Sequence, residues 1–232
     1  MLKMTDFPPE FYLAREAAMA ALDGYRGMDD LDPKAPAGHV KGLRVSSRLT
    51  SEYRQRIKGG TVDVTPQEVI ECLNQAQIKN WVLMGLHGYV GYLPQPRATQ
   101  DVDVMVPYSQ RDRTAKAIAA RWPMLLQVAQ SQVVRFLDPT DLDFDGNPQP
   151  VIDIMLPWGK FQESILKNHV LVDTETQSRY PTLEAALASK YAALVSPHRT
   201  RDKKEQDAVD FRRMVRANHE RIVTEKLRAL AN

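Results

Sequence analysis

One stretch limits what this chain can fold into more than any other. Asp101-Val102-Asp103-Val104-Met105-Val106 sets two carboxylates at alternate positions of an apolar run. Successive side chains on a strand point to opposite faces, so Asp101 and Asp103 share one face and Val102 and Val104 the other. Like charges stacked this way repel unless a cation lies between them. Oxygen-only ligands suit Mg²⁺ or Mn²⁺. The plain alternative is an edge strand with a solvated acidic face, but the flanks point to chemistry. The apolar run Trp81 to Met84 ends in Gly85. A glycine there allows close approach of backbone to a phosphate, and the turn after it can open a helix whose N-terminus favours anions. A loop with Pro94, Pro96, Arg97 and Thr99 then leads into the aspartates.

Further along, Asp153 is a lone carboxylate inside the apolar run Val151 to Met155. Buried unpaired it would cost several kcal/mol, so it needs either a salt bridge or a metal shared with Asp101 and Asp103. Lys190 lies on the apolar stripe Leu183, Leu187, Tyr191, Leu194 of an expected helix that starts at Pro181-Thr182-Leu183. Asp207 and Asp210 lie beside the apolar face Phe211, Met214, Val215 of the next helix, from Asp202. Lys190 is therefore either a buried ion-pair partner of Asp207 or Asp210, or a group that reaches an anionic ligand.

These motifs together resemble a family. Gly85, then Pro96-Arg97-Ala98-Thr99-Gln100-Asp101-Val102-Asp103-Val104, is similar to the glycine motif and paired-aspartate strand of the nucleotidyltransferase superfamily that includes DNA polymerase β. Lys190, Arg199 and Arg201, and Asp207-Ala208-Val209-Asp210 resemble the lysine helix, Arg-rich turn and D-x-x-D helix of its small bacterial branch, which includes type IV toxin–antitoxin nucleotidyltransferases. The likeness covers roughly residues 65 to 216, judged from ordinary element lengths. It implies an α/β nucleotidyltransferase-like core with a helical C-terminal region and a helical N-terminal extension. It also implies catalytic, metal-holding roles for Asp101, Asp103 and Asp153, with Mg²⁺ or Mn²⁺ as cofactor. Gly85, Arg97, Thr99 and Lys190 would then bind the nucleotide. The implied reaction moves a nucleoside monophosphate from an NTP to an acceptor hydroxyl on RNA (a tRNA 3′ end among the candidates), a protein or a small molecule, with a toxin-like role and an antitoxin partner. The other reading is a catalytically idle nucleotide-binding or protein-interaction domain of the same fold, prompted by Leu86, where the family pattern has a second Gly or a Ser.

The rest of the chain sets the frame. At 232 residues it can bury a good core. A net charge of +2 gives no strong general attraction to nucleic acid, which argues against a plain basic RNA-binding module. The single cysteine, Cys72, excludes a disulfide within the chain and reads as a small buried hydrophobe. With no apolar h-region at the N-terminus and no spanning run, a cytoplasmic protein with no membrane partner is expected. A helix is expected over 10–22, a linker over 29–42 and a helix over 43–58 with a solvated basic face (Arg44, Arg48, Arg54, Arg56, Lys58). A turn at Gly59-Gly60 follows. Thr65-Pro66-Gln67-Glu68 is a helix start with a capping box, leading into the stripe Val69, Ile70, Leu73, Ala76.

Later expectations are a capped helix over 109–122, a strand over 132–137 and a hairpin turn at 141–146, not a calcium loop. A helix over 158–166, a strand over 169–172 and a charged tail helix packed on its predecessor complete the reading. His87 and His198 have no ligand-spaced companions and are assigned no metal. The division expected is 1–61 extension, 62–175 core and 176–232 helical region.

Overall fold

The structure, a computed structural model, describes residues 36–57, 62–143, 145–174 and 176–231. The expected helix over 10–22 and the Gly59-Gly60 turn lie outside these residues. Helix α1 spans Pro36–Ile57. The linker expected to continue to Gly42 is thus helical from Pro36, as proline at a first helical turn loses no hydrogen bond. Gly42 is buried, and a β-carbon there would already touch Val90 Cγ1 at 3.6 Å. The expected basic face is solvated only in part. Arg44 and Arg48 are exposed, but Arg54 is only 4% exposed.

Helix α2, Pro66–Gln75, starts as the sequence requires. Glu68 N donates to Thr65 Oγ1 at 3.3 Å, and Thr65 N donates back to Glu68 Oε2 at 3.0 Å. Val69, Ile70, Cys72 and Leu73 are buried on its core face. The chain then forms β1 (Val82–Leu83), the short helix α3 (Gly85–Tyr89) and β2 (Val102–Met105). Next come α4 (Arg111–Arg121), β3 (Leu126–Ala129), β4 (Val133–Leu142) and β5 (Pro148–Met155). The capped helix expected over 109–122 begins two residues later, behind a 3₁₀ turn at Tyr108–Gln110, and has no side-chain cap. Gln110 instead clasps the backbone of Lys79, accepting from its N at 2.7 Å and donating to its O at 2.5 Å.

The fold is mixed α/β. The five-stranded sheet has the order β1-β2-β5-β4-β3, with β2 and β5 parallel and every other pair antiparallel. Alternation along β2 and β5 feeds two cores. Val102, Val104, Ile152 and Ile154 meet α2 and α4 through Leu73, Ile118 and Trp122. Met105 faces the other side, among Val82, Met84, Ile165 and Ala185. The β4–β5 turn is the expected hairpin. Asp143 accepts from the backbone N of Asp145 at 2.9 Å and of Asn147 at 2.8 Å, so this carboxylate serves the turn. Edge strand β3, exposed at all four residues, has no counterpart in the sequence expectations.

Helix α5 (Lys160–Asn168) and a two-stranded sheet of β6 (Val170–Val172) and β7 (Arg179–Pro181) lead to α6 (Leu183–Val195), α7 (Arg201–Asn218) and α8 (Thr224–Ala231). On α6, Leu183 and Leu187 are buried as expected, whereas Tyr191 is 55% exposed and meets Phe211 with ring centroids 6.2 Å apart. The stripe ends at Lys190 because α6 runs outward beyond it. The tail helix seats Leu230 with Ile165 and Ala185, so it closes on α5 and α6, where the sequence suggested the preceding helix. No helix among the described residues is long and apolar enough to cross a membrane.

Candidate metal and nucleotide site

Parallel pairing of β2 with β5 sets Asp103 beside Asp153, residue for residue. Asp101 precedes β2 and turns toward the same place. One oxygen from each of Asp101, Asp103 and Asp153 falls within a cluster no wider than 4.8 Å. Asp101 and Asp103 are half-buried and Asp153 is buried. Burial, then the charges of Asp101 and Asp153, push the Asp103 carboxyl well above its ordinary range. Burial, then Asp101, push Asp153 up to about 6, against the opposing pull of Arg135.

The three carboxylates are held differently. Thr99 Oγ1 donates to Asp101 Oδ1 at 3.1 Å. Arg135, opposite Asp153 on β4, reaches Asp153 Oδ2 at 3.4 Å. Asp153 Oδ1 is buried without a hydrogen-bond partner among the described residues. Three converging, mutually repelling carboxylates with an orphaned oxygen fit a divalent cation with hard oxygen preference, Mg²⁺ or Mn²⁺.

Gly85 forms one wall. It has φ +54°, and a β-carbon there would lie 1.9 Å from Asp103 Oδ2. Only glycine combines this backbone angle with that contact. A cavity of about 290 Å³ opens beside it. Gly85, Asp103, Lys190, Arg199 and Ser189 line it, with an apolar part from Met155, Trp158 and Phe161. The Ser189 hydroxyl is buried without a partner among the described residues. Leu86 is buried with Leu183, Leu187 and Met214 and does not line the cavity.

A buried ionic network backs the cavity. Lys190 Nζ lies 2.7 Å from Asp207 Oδ1, 3.4 Å from Asp210 Oδ2 and 4.4 Å from the Tyr89 ring centroid. Arg199 donates to both oxygens of Asp207. Arg97 donates to Asp210 Oδ2 at 2.8 Å and to the Tyr89 hydroxyl at 3.1 Å, and Tyr89 donates to Asp210 Oδ2 at 2.8 Å. Burial alone would raise Asp210; Arg97 and Lys190 outweigh it and hold this carboxylate below its usual range. The ion pair weighed for Lys190 therefore exists, and the same lysine also lines the cavity.

The structure thus brings Gly85, Asp101, Asp103, Asp153 and Lys190 together. Arg97 and Thr99 are not among the cavity-lining residues; they hold Asp210 and Asp101 from behind. Sequence reasoning missed Arg135, Tyr89, Ser189 and the apolar wall. A lone charge within Val133-Val134-Arg135-Phe136 was the available signal for Arg135.

No protein-family model and no curated protein matches the sequence. Among solved structures, an antigenic nucleotidyltransferase-like protein from Paracoccidioides brasiliensis is 18% identical with a TM-score of 0.44, the match covering 65% of this chain and 73% of that one. ANT(2″)-Ia, solved in complex with adenylyl-2″-tobramycin, is 14% identical with a TM-score of 0.43, covering 70% of this chain and 90% of that one. The Megavirus polyadenylate synthase is 12% identical with a TM-score of 0.40, covering 81% of this chain, which spans 45% of the synthase.

Proposed function

We propose that the protein transfers a nucleoside monophosphate from an NTP to an acceptor hydroxyl. One observation carries the reading: Asp101, Asp103 and Asp153 converge beside a cavity lined by Gly85 and two cations, Lys190 and Arg199. Phosphoryl transfer depends mainly on positioning and charge stabilisation, so a protein needs little else.

Asp101, Asp103 and Asp153 would hold Mg²⁺ or Mn²⁺, which when bound neutralises phosphate charge and acidifies an attacking hydroxyl. Asp103, closest to Gly85, faces the donor. Gly85 leaves room where any side chain would strike Asp103. Lys190 and Arg199, pre-set by Asp207, offer positive charge to the donor phosphates. Arg97 and Thr99 act from behind, Arg97 by fixing Asp210 and Tyr89, Thr99 by fixing Asp101. Asp153, whose Oδ1 has no hydrogen-bond partner among the described residues, accepts or steers the acceptor proton.

Resemblance to the toxin–antitoxin branch makes RNA, a tRNA 3′ end first, the acceptor to try, with a protein antitoxin as partner. The exposed cations Arg135 and Lys203, both of which act electrostatically on Asp153, suit a phosphate-bearing acceptor. The test is incubation with each labelled NTP, Mg²⁺ and total RNA, beside Asp101→Asn/Asp103→Asn. Metal-dependent label on RNA, lost in the variant, supports the reading. No label and no nucleotide-induced rise in Tm would replace it with the idle scaffold.

A further inference from the structure

Helix α1 lies outside the stretch that resembles the nucleotidyltransferases, yet it grips the loop that delivers Asp101. Ser46, Thr50 and Arg54 recur every four residues, so they form one line along the helix. All three are buried, at 0%, 7% and 4% exposure. Each bonds to the backbone of the loop that runs into the first carboxylate. Ser46 Oγ donates to Arg97 O at 2.6 Å. Thr50 Oγ1 accepts from Thr99 N at 3.1 Å and donates to Ser46 O at 2.9 Å. Arg54 donates from Nη2 to Gln100 O, and from Nη1 to Val62 O at 3.3 Å.

The contacts continue into the site. Thr99, fixed through its N by Thr50, turns its own hydroxyl to Asp101 Oδ1. Burial lowers the pKa of Arg54, and the carboxylates of Asp63, Asp141, Asp101 and Asp138 oppose that. A guanidinium this deep is an expensive way to hold a loop carbonyl unless its charge is wanted there. Apolar packing would have docked the helix without it.

We infer that α1 is a positioning element for the active site, with Thr50 setting Asp101 through Thr99 and Arg54 pinning the Gln100 carbonyl just before Asp101. The inference rests on the triad being the ion site. Residues 36–57 are then required for metal affinity and not only for stability. Partners that orient metal ligands are worth about 10-fold or more in affinity.

The experiment measures Mn²⁺ affinity by electron paramagnetic resonance on the full chain, with Mn²⁺ alone as probe. The variants are Ser46→Ala, Thr50→Val, Thr50→Ser and Arg54→Met. Ile118→Val in the core serves as a control for lost stability, and Asp103→Asn as a control for the site. Expected are a Kd about 10-fold weaker in Thr50→Val, recovery in Thr50→Ser, and no change in Ile118→Val. Wild-type affinity in Thr50→Val and Arg54→Met, with only Tm lowered, would reduce α1 to packing and overturn the inference. Should Arg54→Met fail to fold, the Ser46 and Thr50 variants decide. Unchanged affinity in Asp103→Asn would instead remove the triad as the ion site, and the proposed function with it. A wild type that binds no Mn²⁺ would overturn both.

Discussion

Gly85 and Asp103 are in such close contact that a β-carbon on residue 85 would lie 1.9 Å from Asp103 Oδ2. Gly85→Ala must therefore move either α3 or the carboxylate, and it adds the strain of φ +54° for a residue with a side chain. A loss on the order of 2 kcal/mol is expected from overpacking and backbone strain together. Chemical denaturation measures it, and Mn²⁺ titration of the folded fraction should show weaker binding.

Asp103→Asn is expected to act in opposite directions on fold and function. Burial and two neighbouring carboxylates disfavour the charged form of Asp103, so removing that charge should raise the stability of the metal-free protein. About 1 kcal/mol is expected at pH 8. Nucleotidyl transfer and the Mg²⁺-dependent NTP shift in Tm should disappear. A variant less stable than wild type would contradict the repulsion.

Asp210→Ala would strip three groups of one partner, since Arg97, Lys190 and Tyr89 all converge on Asp210 Oδ2. Removing one member of a buried ionic set costs about 3–5 kcal/mol. Equilibrium unfolding in urea should show that loss. A change under 1 kcal/mol would mean that water replaces the carboxylate and that the network is not dry.

Acid should destabilise the protein through two histidines. Burial lowers His39 to about 4 and His87 to about 3. Their ordinary value is about 6.5, so as pH falls below it the unfolded chain takes up protons that the native state refuses. Stability is complete above that value and is lost toward about 4 for His39 and about 3 for His87. Each contributes a slope of about 1.4 kcal/mol per pH unit. Neither ring nitrogen of His87 has a partner among the described residues, so His87→Met should flatten the profile without losing a hydrogen bond. Urea midpoints between pH 4.5 and 7 read the difference, about half the slope.

The parts of the fold that were legible in sequence are those whose cause is local. Thr65 and Glu68 are three residues apart, and their capping box follows from that spacing. Asp101 and Asp103 announce a strand because alternation is a property of adjacent residues, and Asp153 announces a partner because a lone charge in an apolar strand needs one. What sequence hid is non-local. Arg54 read as part of a solvated basic face, and Ser46 and Thr50 gave no signal, since the partners of all three are backbone atoms some fifty positions downstream. Strand β3 was hidden because it is an exposed edge whose register comes only from β4. Tyr191 looked buried by periodicity, but α6 leaves the core one residue earlier.

The parallel pairing of β2 with β5 also determines when the site comes into being. Between the two strands lie α4 and the β3–β4 excursion, so Asp103 and Asp153 can be aligned only after a long loop has closed. Local hairpins form early and such distant pairings late, because the loop entropy is spent before the contacts reward it. A chain that has completed the β4–β5 hairpin holds Asp153 opposite Arg135, with Asp103 still missing from its other side. Metal affinity and the last step of folding should therefore appear together in a refolding experiment, making the ion a reporter of completed topology.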